Sequence, residues 1–140
     1  MPAPAPATNE PIRFADPEEL LRYLYADLTR LSQVASPRLV LHRYDGGAPL
    51  RGVAAAQAHE EALVAATGGT LRMDVERVTL EGPLGGVHGV MRARKPAGRP
   101  GAADLAARFY GLWRFEDGRP VEHFENIVGD AAEVAKWFEA

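Results

Sequence analysis

A chain of 140 residues with 46% hydrophobic and 25% charged side chains is sized for one ordinary globular domain. A net charge of −3 without a basic stripe argues against a nucleic-acid partner, and no apolar run is long enough to span a bilayer. With no cysteine, disulfides, thiolate metal sites and thiol nucleophiles are excluded.

The first residues, MPAPAPATNEP, have neither the basic nor the apolar region of a signal peptide, so the expected compartment is the cytoplasm. Their Pro/Ala alternation predicts a disordered tail over residues 1–11, with a single domain over residues 12–140. Asp16-Pro17-Glu18-Glu19 is a helix start, with Asp16 as cap and Pro17 in the first turn. The spacing of Leu20, Leu24, Leu28 and Leu31 carries that helix to about Ser32. Tyr25 and Asp27 flank the leucine stripe and are candidates to reach a cavity beneath it. Residues 38–44 (RLVLHRY) read as a short strand in which His42 shares a face with Val40 and Tyr44. Residues 52–67 are alanine-rich and helical, ending at Gly68-Gly69, with Ala56, His59, Leu63 and Ala66 on one side.

Residues 70–81 predict a long strand whose apolar register slips by one after Val75, the signature of a β-bulge and a bent sheet. A Gly/Pro turn leads into a returning strand over residues 87–95, and residues 96–103 (PAGRPGAA) predict a loop at the rim of whatever the sheet encloses. Residues 105–116 and 119–128 form two strands about the Asp117-Gly118 turn, and both faces of the first are apolar enough to be covered. A short last helix has Val134, Trp137 and Phe138 on its docking side. Helices first and antiparallel strands after give an α+β fold, a curved, bulged sheet wrapped around the N-terminal helices into a cone.

Candidate chemistry lies on the last strand, where Val121, His123, Glu125 and Ile127 share a face. In an apolar cone, desolvation raises the Glu125 pKa and makes it a better general base for a proton next to a carbonyl. His123 is its nearest partner on the same face, roughly 7 Å along the strand. Arg108 and Tyr110, on the neighbouring strand with Leu112, would hold a substrate oxygen if their face is the inner one. Ile127, Tyr25, His42 and His59 complete the candidate pocket. The spacings of His42, His59, His88 and His123 match no metal-ligand motif, and no dinucleotide fingerprint or phosphate loop occurs. Neither a metal nor a cofactor is expected.

The stretch WRFEDGRPVEHFENI resembles the C-terminal hairpin of SnoaL-like proteins, of the nuclear transport factor 2-like (cystatin-like α+β) superfamily. The match runs through Arg114-Phe115, Asp117-Gly118-Arg119 and Val121-Glu122-His123-Phe124-Glu125. This resemblance implies a cone-shaped barrel, dimerisation through the outer sheet face, and a small hydrophobic ligand held by alternate residues of the last strands. In the polyketide cyclases of that family an acid in the pocket serves as acid/base, which implies such a role for Glu125. The implied reaction is cofactor-independent cyclisation, isomerisation or dehydration of a carbonyl-bearing substrate. Phe124 replaces the usual Trp, and Gly111 stands where many relatives carry an acid. Two rival readings are a non-catalytic binder, and an interaction module whose cone is filled by Met73, Met91 and Phe109.

Overall fold

The computed structural model describes residues 13–95 and 103–139. The predicted tail and all of the 96–103 loop except Ala103 lie outside them. The elements in order are α1 (Pro17–Ala26), a 3₁₀ turn (Leu28–Arg30), α2 (Leu31–Val34), β1 (Val40–His42), β2 (Leu50–Arg51) and α3 (Val53–Ala66). They continue with β3 (Arg72–Glu81), β4 (Leu84–Ala93), β5 (Leu105–Glu116), β6 (Arg119–Ile127) and α4 (Ala131–Glu139). All six strands form one sheet in the order β2-β1-β6-β5-β4-β3. Neighbours are antiparallel except β1, which runs parallel to β6. Among the described residues no helix is long and apolar enough to cross a membrane.

The predicted first helix is broken in two. Asp16 caps α1 by accepting the Glu19 N–H at 2.8 Å, as its spacing implies. The helix stops at Asp27, whose backbone is extended and whose carboxylate accepts from the Thr29 N–H and hydroxyl. That second cap starts the 3₁₀ turn and leaves Leu28 half-buried over the interior, while Leu31 is fully buried.

The bulge predicted in β3 falls between Val75 and Arg77. It lies against Gly89 of β4, where a Cβ would collide with the Asp74 carbonyl oxygen. Only a glycine lets the two backbones approach this closely. The bend curls the sheet around α1, α2 and α3, and its concave face buries Val87, Met91, Phe109, Trp113 and Phe115 against Leu20, Leu21 and Leu24. β5 has one fully covered face and, in its middle, a second face that is half-covered at Tyr110, Leu112 and Arg114. Leu105, Phe109, Gly111, Trp113 and Phe115 are buried, and the residues between them are more exposed.

Candidate functional site

The register of β5 and β6 decides which side chains enter the cone. Gly111 lies opposite Glu125, Trp113 opposite His123, and Phe109 opposite Ile127, so this set shares the concave face. Arg108, Tyr110, Leu112 and, on β1, His42 have the other parity and point to the convex face. The expectation that Arg108, Leu112 and His42 line the pocket is therefore corrected, whereas Tyr110 does border the cavity. Arg108 pairs with Glu76 at 2.5 Å, and His42 stacks on Phe124 while contacting Glu122 at 2.7 Å. Leu112 sits beside Phe124, and the Tyr110 ring leans on His88, although Tyr110 borders the cavity at its place in β5.

The cone holds a partly open cavity of about 50 Å³. Its walls are mostly apolar, with Leu63 of α3, Met73, Met91, Phe109 and Ile127 of the sheet, and Phe138 of α4. Leu28, released by the break after α1, completes them. The polar lining comprises Tyr25, Tyr44, Glu60, His123 and Glu125, with Tyr110 and Asn126 at the border.

Glu125 is held from the helix side. His59 Nε2–H donates to both of its oxygens, at 3.1 and 3.3 Å, and both side chains are largely covered. His123, the expected partner, does something else. Its ring lies flat on Trp113 with centroids 3.5 Å apart, it is 5% exposed, and neither ring nitrogen has a hydrogen-bond partner. Burial, then the nearby His59 and His42, push its pKa down to about 3, so it is a neutral core imidazole at physiological pH.

Two further groups face the cavity. Glu60, next to His59 on α3, is 3% exposed, and its Oε2 has no hydrogen-bond partner. Burial, then the charge of Glu125, raise its pKa well above the usual carboxylate value, which favours the protonated form. Tyr25 stacks on Phe109, and its oxygen accepts the Trp113 Nε1–H at 3.0 Å. Burial above all raises the hydroxyl pKa, so it stays protonated and retains a proton to donate. There is room for it because residue 111 is glycine: a Cβ there would overlap the Tyr25 oxygen. Tyr44 is half-buried nearby, its hydroxyl pushed up to about 12 by burial, then by Glu125 and Asp45.

Glu125, His123, Ile127, Tyr25 and His59 thus meet on the concave side. Glu60, Tyr44, Leu28 and Phe138 were not expected there. For Glu60 a signal exists: Ala56, Glu60, Leu63 and Thr67 recur at the helical period, and Ala56 and Thr67 are both fully buried. A carboxylate in the middle of such a stripe marks a buried acid.

A SnoaL-like domain model matches residues 22–123, a span that ends two residues before Glu125. Among solved structures, Bal32a from a soil-derived mobile gene cassette superposes with a TM-score of 0.74 at 18% identity, covering 87% of this chain and 95% of that one. A protein of cystatin-like fold from Xanthomonas campestris gives 0.70 at 17% identity, over 87% and 98% of the two chains. A candidate SnoaL-like polyketide cyclase from Jannaschia sp. CCS1 gives 0.71 at 18% identity, over 94% and 99%. At these identities the likeness establishes the fold. No curated protein matches the sequence.

Proposed function

Because the chain belongs to the SnoaL-like domain family, we propose that its cavity takes a small carbonyl-bearing molecule and moves a proton on it, with Glu125 as the base and His59 as its positioning partner. The observation that carries this reading is the Glu125 carboxylate, fixed by a single imidazole at 3.1 Å on the wall of a mostly apolar cavity. One donor leaves most of its lone pairs free to take a proton. The Tyr25 hydroxyl and, in its protonated form, Glu60 face the same space, and a carbonyl oxygen that gains negative charge as the proton leaves would be stabilised by them. General-base assistance of this kind contributes about 10²- to 10⁴-fold.

Cavity size limits the substrate. About 50 Å³ holds a few waters or one compact group. A polycyclic ligand would enter only if the flexible side chains of Met73 and Met91, or Phe138 on α4, moved aside. Compact enolisable ketones are therefore the first probes. The convex face, carrying Leu112, Tyr110 and the His42–Phe124 stack, is where this reading places a second copy of the chain.

The test is exchange of the α-protons of small ketones for deuterium, followed by NMR with metal-free protein. Wild type should accelerate exchange, Glu125→Gln should lose about 10²-fold or more, and His59→Asn should fall between. Unchanged exchange in Glu125→Gln would remove Glu125 as the base. Saturable ketone binding without exchange would instead support a non-catalytic binder, the reading favoured by treating His59–Glu125 as a fixed internal pair.

A further inference from the structure

His59 and Glu60 are consecutive on α3, so their side chains leave the helix about 100° apart. Both nevertheless bring a donor atom close to Glu125 on β6. One nitrogen of His59 and one oxygen from each carboxylate all lie within 4.8 Å of one another. Two carboxylates crowded this closely repel when both are charged, and His59 is the basic side chain set among them. Glu60 Oε2 is the more telling atom. It is enclosed by protein in a residue only 3% exposed, yet it receives no hydrogen bond. Buried polar atoms without partners are rare, and an ion is among the things that explain them.

We propose that His59, Glu60 and Glu125 form a binding site for a divalent first-row transition-metal ion, with its open coordination position facing the cavity. One imidazole nitrogen and two carboxylate oxygens suit zinc, manganese, iron(II) or cobalt(II). Calcium asks for more oxygens, and copper(I) for sulfur. Three protein ligands and one open place is the arrangement of catalytic rather than structural zinc sites. Bond lengths of about 2.0–2.2 Å require the three donor atoms to draw together from their present spread. Glu60 is tethered by no hydrogen bond and Glu125 only by His59, so rotation of the two glutamates brings them in. The ion gives Glu60 Oε2 the partner it lacks and offsets the carboxylate repulsion. It also occupies the carboxylate that the proposed proton transfer uses, so a loaded site is closed to that chemistry.

Calorimetric titration of chelator-treated protein with zinc, paired with the visible spectrum on adding cobalt(II), tests this. We expect one ion per chain and a cobalt band intense enough for a site of low coordination number. His59→Ala and Glu60→Gln should each weaken binding by about 100-fold or more, since loss of an outer partner alone costs about 10- to 100-fold. His42→Ala, on the convex face, should leave it unchanged. Glu60→Gln is nearly isosteric, and its circular dichroism checks that it folds. No saturable zinc binding, or binding equal in wild type and folded Glu60→Gln, overturns the site. Either result leaves the ketone-exchange test untouched, and a failure of ketone exchange in metal-free protein leaves zinc binding untouched.

Discussion

Adding one carbon at Gly111 probes how the cavity is assembled. An alanine Cβ would overlap the Tyr25 oxygen and come to 3.3 Å from both His123 Nε2 and Trp113 Nε1. Tyr25 cannot simply swing away: its ring is stacked on Phe109 and its oxygen accepts the buried Trp113 N–H. Forcing a methyl into a filled core costs about 1–3 kcal/mol. Leaving the Trp113 N–H unpaired costs about 1–3 kcal/mol more. Alanine recovers up to about 1 kcal/mol over glycine in a strand. Gly111→Ala should therefore destabilise by about 1–5 kcal/mol, or roughly 5–20 °C in midpoint for a domain of this size. Tyr25→Phe removes the colliding oxygen but strands the same Trp113 N–H, so alone it should cost about 1–3 kcal/mol. The double variant should cost no more than Tyr25→Phe, leaving a coupling at least as large as the Gly111→Ala loss, about 1–5 kcal/mol, between the two sites. Urea denaturation of all four proteins, read by circular dichroism, gives the cycle. Additive single effects, or a neutral Gly111→Ala, would refute the packing argument.

His123 should make the metal-free protein acid-labile. The folded protein holds its pKa at about 3, whereas the unfolded chain titrates near an ordinary histidine value of about 6.5. Between those values the unfolded state takes up a proton that the fold refuses, so stability falls as pH falls, by at most about 1.4 kcal/mol per unit. His123→Phe keeps a flat ring against Trp113 and should flatten this limb of stability against pH; an identical limb in both proteins would remove His123 as its source. Gly89→Ala sets a methyl against the Asp74 carbonyl, backbone against backbone, where no side chain can yield. It should cost about 3 kcal/mol or more in thermal unfolding, the upper end for overpacking. A loss below about 1 kcal/mol would mean that the bulge does not depend on this close approach.

Features encoded by neighbours in sequence were legible. The Asp16 cap, the Asp117-Gly118 turn and the slip after Val75 are local signals, and each appears where the spacing put it. The break at Asp27 was hidden because the leucine period continues through Leu28 and Leu31 as if the helix did. The facing of β5 was hidden because both parities are rich in large side chains, Phe109 and Trp113 on one and Tyr110 and Leu112 on the other. Only the pairing of Gly111 with Glu125 decides it, and it sends Arg108 and Tyr110 outward. The His59–Glu125 contact spans 66 residues of sequence and depends on how β6 lies against α3. The two-residue β2 is too short to carry a periodic signal.

The departure at Gly111 gains a physical reading from these contacts. The resemblance gives many relatives an acid at that place on β5, and here the space above it is taken by the Tyr25 oxygen, so no carboxylate could be restored there without evicting a buried hydrogen bond. An acid is nevertheless present on the wall of the same cavity, arriving from α3 as Glu60 and facing Glu125. The acidic groups of this cavity thus come from α3 and β6, and most of its apolar wall from β3 to β5 and α4. Transferring the family's acid by strand position would therefore direct mutagenesis to a glycine that holds the pocket open, while the groups able to hold or move a proton are His59, Glu60 and Glu125.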